Sequence, residues 1–181
     1  MGYRRVASPS VPSPAGEIES ELASARASFH ALLDSLSDEG WARRSRNPGW
    51  TNGEIVFHIA FAFMLLRSLV PMVRIWGRLP KAWSKAFAQA LNAATSLFHG
   101  VNALGPRGGA RLYDRDRIGR KYDSVHASLL QTLAGIRPDE WGRGMYYPDR
   151  WDGLFEKYMT LEKVFRYPTV HLRFHLKQIN G

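Results

Sequence analysis

The sequence predicts an all-α fold: a four-helix bundle with an extra helical insert between its second and third helices. Three observations lead there. Apolar residues recur at intervals of three and four through four separate segments. Thr51 followed by Glu54 forms a capping box at the start of one of them. A Ser37-Asp38-Glu39-Gly40-Trp41 stretch leading to Trp50 is echoed by Pro138-Asp139-Glu140-Trp141 leading to Trp151. The two Trp–Trp spacings are nine and ten residues, and each precedes a histidine-bearing segment, as two related helical hairpins would leave.

Taken in order, residues 1–15 are Pro/Ser-rich and read as a disordered arm before a single domain over 16–181. The first helix begins at Glu17, with Ile18, Leu22, Ala25, Phe29, Leu32, Leu33 and Leu36 as its apolar stripe. A polar turn follows. The second helix opens at the Thr51 box and is expected to stop at Val70, before Pro71. Residues 71–116 form a basic insert of helix and loop. Within it Pro80 opens a helix and Gly100 closes it, while Trp83, Phe87, Ala90, Leu91, Ala94 and Phe98 share one face. Gly105-Pro106-Arg107-Gly108-Gly109 reads as a loop. The third helix covers Arg117–Leu133, with Tyr122, Val125, His126, Leu129 and Leu133 as its stripe. The fourth covers Thr160–Ile179, with a kink or a fresh start expected at Pro168.

The 181 residues suffice for one domain with a sizeable core, and 45% hydrophobic against 23% charged residues is a globular composition. With no cysteine, disulfides, thiolate metal sites and a cysteine nucleophile are excluded, so any metal must be held by nitrogen and oxygen. The N-terminal residues show neither a secretory signal nor a myristoylation pattern, and a cytoplasmic location is the expectation. Residues 55–73 are apolar enough to resemble a membrane span, but His58, Arg67 and Pro71 interrupt them and a helix buried in a bundle is the better reading. The formal net charge of +9 is uneven: from Ile55 to Tyr113 there are seven basic residues and no acidic one. That segment faces either solvent or an anionic partner.

His171 and His175 lie four apart, which on a helix stacks two imidazoles about 5–6 Å apart at Cβ, the geometry by which one helix offers two nitrogen ligands. His58 sits among apolar neighbours in Ile55-Val56-Phe57-His58-Ile59-Ala60-Phe61. A buried imidazole there needs a partner, either a backbone carbonyl, a water or a metal. No Ser-His-Asp order, Gly-rich phosphate loop or dinucleotide fingerprint is present.

The stretch Pro48-Gly49-Trp50-Thr51-Asn52-Gly53-Glu54-Ile55-Val56-Phe57-His58-Ile59-Ala60 resembles the second-helix motif of the DinB-like superfamily. The ending His171-Leu172-Arg173-Phe174-His175-Leu176-Lys177-Gln178-Ile179 resembles its final-helix motif. The resemblance implies a four-helix bundle with a divalent metal on three histidines, which fall on His58, His171 and His175. For three imidazole ligands zinc is the first choice, with nickel, iron or manganese also suited. An activity implied by the same resemblance is transfer or isomerisation with a low-molecular-weight thiol, such as mycothiol, bacillithiol or glutathione, acting on a small-molecule substrate. A basic pocket wall is then expected to hold the thiol's acidic groups. Homodimer formation is likewise implied. The 71–116 insert and Pro168 depart from the family pattern. His126, Tyr167 and Glu54 are candidates to border the site, although the capping box already accounts for Glu54. A different class of function is a binding module whose basic 67–111 segment, with Trp76 and Trp83 interleaved, rests on an anionic membrane or nucleic acid.

Overall fold

The structure is a computed structural model that describes residues 13–181. The arm expected over 1–15 lies outside the described residues except for its last three positions, and Ala15 already starts a helix. The helices are α1 (Ala15–Ser35), α2 (Asp38–Ala42), α3 (Asn52–Trp76), α4 (Lys81–Ala93), α5 (Thr95–Leu112), α6 (Arg115–Ala134) and α7 (Leu161–Leu176). Between α6 and α7 come a single 3-10 turn, Pro138–Glu140, and a two-stranded antiparallel hairpin, β1 (Gly144–Tyr146) and β2 (Tyr158–Thr160).

Helices α1, α3, α6 and α7 form the bundle, with α3 and α1 each packed against both α6 and α7. The stripes read from the sequence point inward. Ile18, Leu22, Phe29, Phe63, Leu129 and Phe165 are fully buried. Tyr122 stacks on Phe29 with ring centroids 4.1 Å apart and meets Phe63 at 4.7 Å. Each large apolar side chain buried this way contributes about 1.5–3 kcal/mol. This core, rather than helix propensity, holds the bundle.

The echo in the sequence is a structural repeat. In the first half, α2 leads to an Arg44–Thr51 bridge, Thr51 caps α3, and the Asn52 N–H donates to the Arg43 carbonyl at 2.9 Å. In the second half, the 3-10 turn leads to β1–β2, Thr160 caps α7, and the Leu161 N–H donates to the Arg143 carbonyl at 2.8 Å. α3, which carries His58, and α7, which carries His171 and His175, are therefore launched by the same device. The second arm is longer, and its excess residues form the hairpin, which the sequence reading did not anticipate because its strands are three residues each.

Prolines change helix boundaries less than expected. α3 runs through Pro71 to Trp76 rather than stopping at Val70. Pro71 faces solvent, while Val70 and Val73 on either side are fully buried. Beyond the proline, Arg74 holds the buried Glu140 carboxylate with two bonds at 3.1 and 3.0 Å, and Arg143 adds a third at 2.8 Å. These contacts outweigh the lost backbone bond. α7 continues through Pro168, with Val164 and Phe165 before it and His171 and Leu172 after it all buried.

The insert is almost wholly helical. Pro80 does precede α4, but that helix ends at Ala93, and Gly100 lies inside α5 instead of closing a helix. The segment expected as a loop, Gly105–Gly109, is also part of α5. It is held by tertiary contacts: the Trp50 indole N–H donates to the Ala103 carbonyl at 3.1 Å, Arg107 donates to the Gly49 carbonyl at 3.1 Å, and Pro106 is buried. Gly109 allows the close approach, since a Cβ there would lie 2.1 Å from the Phe57 ring. α4 is tied to the hairpin region, where the Trp151 indole donates to the Leu91 carbonyl at 2.9 Å and Asn92 donates to Asp149 at 2.9 Å. Trp83, expected on the apolar face, is 63% exposed.

Candidate metal centre and the adjoining cavity

His58 projects from the second turn of α3, and His171 and His175 from successive turns of α7. The packing of α3 on α7 brings all three rings together, although His58 is more than a hundred residues from the others. Ring centroids are separated by 4.8 Å for His58 and His171, 4.7 Å for His58 and His175, and 4.4 Å for His171 and His175. One nitrogen from each lies within 4.8 Å of the others, and all three residues are buried.

The protonation states follow from burial. Desolvation, then the neighbouring His175, pushes His58 down to about 3. Desolvation likewise places His171 well below its ordinary value, with His175 and His58 adding to the effect. His175 is lowered by burial, against the raising influence of Gln178 and the Asp152 carboxylate. At neutral pH the cluster is three uncharged imidazoles. Gln178 Oε1 lies 2.9 Å from His175 Nδ1, which places the proton on Nδ1 and leaves Nε2 as that ring's lone pair.

The donor set suits a divalent ion. His58 Nε2 and His171 Nε2 are 3.1 Å apart, close to the roughly 3.3 Å that two nitrogens on a tetrahedral zinc subtend at bonds of about 2.0–2.1 Å. Without an ion, the two rings share a single proton, and His171 Nδ1 has no hydrogen-bond partner among the described residues. Three neutral nitrogen donors, with no thiolate, would leave an ion held there a coordination position for an exchangeable ligand.

Tyr167 borders this cluster as expected, its ring 5.5 Å from that of His171. Its hydroxyl donates to Asp152 Oδ2 at 2.5 Å, and burial, with Asp152 as the second cause, keeps that hydroxyl protonated. The other Asp152 oxygen accepts from the Leu154 N–H at 2.8 Å. Asp152 is the acid nearest the site, and sequence reasoning passed over it because it lies in an irregular turn between β1 and β2 with no periodic signal. Gln178 was similarly missed, although its spacing of three from His175 on a helix end was a usable clue. Trp50 packs its ring 4.7 Å from His58.

Two candidates lie elsewhere. Glu54 accepts the Thr51 N–H at 2.8 Å, completing the capping box, and does not border the cavity beside the histidines. His126 faces Leu22 of α1, and burial lowers its pKa against the raising influence of the Leu22 backbone. It is part of the α1–α6 interface and is neither a fourth ligand nor a neighbour of the cluster.

The histidines open into a cavity of about 910 Å³ between α3, α5, α7 and the hairpin arm. Asp152, Tyr167, Asn47 and Gln178 supply polar groups, and His99 of α5 also borders it. Among the described residues no lysine or arginine lines it, so they do not form the basic wall expected for a thiol's acidic groups. Of the basic residues in the insert region, Arg74 and Arg78 are engaged with Glu140 instead, and Lys81 lies over the Tyr158 ring.

The sequence profile of the DinB superfamily matches residues 21–179. No curated protein and no solved structure matches the chain.

Proposed function

The chain belongs to the DinB superfamily, and from that premise we propose that it is a divalent-metal protein whose ion, zinc first, is held by His58, His171 and His175 and serves a transfer or isomerisation reaction on a small molecule. The observation that carries this is the approach of His58 Nε2 to His171 Nε2 at 3.1 Å in a buried cluster of three neutral imidazoles. When bound, an ion with one position open lowers the pKa of a water or thiol placed there.

The chain's own residues supply the rest. Gln178 fixes the His175 tautomer, as a partner on the far nitrogen of a ligating imidazole does. Asp152, held by Tyr167 and the Leu154 N–H, is placed to accept a proton from a group reacting beside the histidines. The apolar walls exclude water around them. A low-molecular-weight thiol remains the proposed nucleophile, but its acidic groups would have to lie outside the cavity. Elemental analysis of the purified protein is the test: about one transition-metal ion per chain is expected, and its loss in His58→Ala and His171→Ala. A wild-type protein that neither carries nor takes up zinc refutes the reading.

A second reading concerns the outer surface of α5. Leu97, Val101, Leu104 and Leu112 are 62–73% exposed and follow one another at helical spacing, with Arg107 and Arg111 beside them. A helix that is apolar outward, basic at its edge and free of acids suits the surface of an anionic bilayer. Co-sedimentation with vesicles containing phosphatidylglycerol, weakened by salt, is expected. No binding at low salt removes this reading, and binding of DNA instead replaces the partner.

A further inference from the structure

α3 has two apolar faces. One, with Ile59, Phe63, Leu66, Val70 and Val73, is fully buried in the bundle core. The other carries His58, Ala62, Leu65, Leu69 and Met72 at successive intervals of four, three, four and three, so that they form one straight line along the helix. All five border the cavity, and Leu65, Leu69 and Met72 are only half-buried because they face its empty volume. At 1.5 Å per residue the line from His58 to Met72 is about 21 Å long. Phe87 and Leu91 of α4, and Phe98 of α5, complete the wall opposite.

The cavity is therefore elongated, with the histidines, Asp152 and Gln178 at one end and apolar side chains beyond. A single extended hydrocarbon chain fits along this length, one leaflet of a bilayer being about 15 Å of hydrocarbon. A compact polar ligand would leave most of it unfilled, and among the described residues no lysine or arginine lines it to meet an anionic one. We propose that the cavity is the binding site for a long unbranched acyl or alkyl chain, lying along α3 with its functional end at the three histidines. This rests on the preceding reading for where the reacting end lies, but binding of the chain itself does not require a metal.

The experiment uses metal-free protein, prepared with a chelator, and the n-alkanols from hexanol to tetradecanol, followed by displacement of a dansyl-labelled fatty acid and by quenching of Trp50 and Trp151. Affinity is expected to rise about fourfold per added methylene until the trough is filled. In Leu69→Trp, or in Met72→Trp if the first variant does not fold, the gain is expected to stop at shorter chains while those still bind. Affinity that does not depend on chain length, or long-chain affinity untouched in the folded variants, overturns the proposal. Zinc content measured on the same preparations before chelation separates the two failures: a protein that binds zinc but no chain refutes only this inference, and one that binds chains but no zinc refutes only the metal site.

Discussion

Burial of the three imidazoles makes a specific statement about how a metal would compete with protons. An imidazole at its ordinary value near 6.5 is protonated about thirtyfold over at pH 5, which costs a metal roughly 2 kcal/mol for each such ligand it must deprotonate. A solvent-exposed three-histidine site would thus lose about four orders of magnitude in affinity between pH 7.5 and pH 5. Here desolvation opposes those protons: His58 is pushed down to about 3, His171 lies well below its ordinary value, and His175 is lowered as well. Zinc affinity of the folded protein is therefore expected to fall by no more than about thirtyfold over that range, the share of one ordinary imidazole.

The same lowered values act on stability with a definite sign. Below about 6.5 the unfolded chain takes up protons at these positions and the native state does not, so metal-free protein loses stability as pH falls from about 6.5 toward about 3. Zinc at a hundred times its dissociation constant returns about 2.7 kcal/mol. In a chain of this length that is a rise in Tm of roughly 5–10 °C. The assay is chelator competition at each pH, with circular dichroism confirming that the protein is folded. A drop in affinity of three or more orders of magnitude in folded protein would show that the rings are not held neutral, and the electrostatic account would fail.

Other consequences are expected. Glu140→Ala leaves Arg74 and Arg143 facing an emptied buried site and is expected to cost about 3–5 kcal/mol in urea unfolding; a loss under 1 kcal/mol refutes the role given to this cluster. Because Arg74 chiefly holds the Glu140 carboxyl below its ordinary range, the wild type is expected to lose this contribution as pH falls below about 4, and the variant has none to lose. Gly53→Ala places a Cβ 2.4 Å from the Trp41 indole nitrogen, and a melting experiment is expected to show about 1–3 kcal/mol of destabilisation. Tyr167→Phe removes the donor to Asp152, with an expected cost of about 1.5–3 kcal/mol at neutral pH; unchanged stability would mean that the pair is not formed in solution.

The bundle was legible because its signals are local and repeated. Ile18 through Leu36 and Tyr122 through Leu133 recur at helical spacing and are buried as that spacing requires. Thr51 and Glu54 form the capping box that their spacing predicts. The histidine cluster was legible only in part. The His171–His175 interval points to one face of one helix, but nothing in the sequence alone brings His58 to it; the family motif suggested that, and the α3–α7 packing places the three rings together. What was misjudged depends on contacts between distant residues. Pro71, Pro106 and Pro168 are local helix breakers, yet each sits where flanking side chains are fixed by the core or by Glu140, Trp50 and Gly49. Asp152 carries no periodic signal at all, and its place beside the histidines is set by the path of the arm between β1 and β2.

The apolar run of α3 shows why composition misleads there. It is long and apolar enough to cross a membrane, yet only half of its most apolar window is buried in the structure. A helix that packed one face on a core and offered the other to water would be amphipathic. α3 has no such contrast, because the side turned away from the core meets the cavity along Ala62, Leu65, Leu69 and Met72. Exposing that face to water would cost about 25 cal/mol for every Å² of apolar surface, a cost removed by a bilayer, by a second protein surface or by an apolar ligand. α4 and α5 cover the face without filling the space beneath them, so that the remaining cost favours whatever occupies the trough. The polar residue set into this line is His58, at the end where α7 brings His171 and His175. A span in lipid gains nothing from an imidazole at that place, whereas a chain-binding trough gains a reactive end.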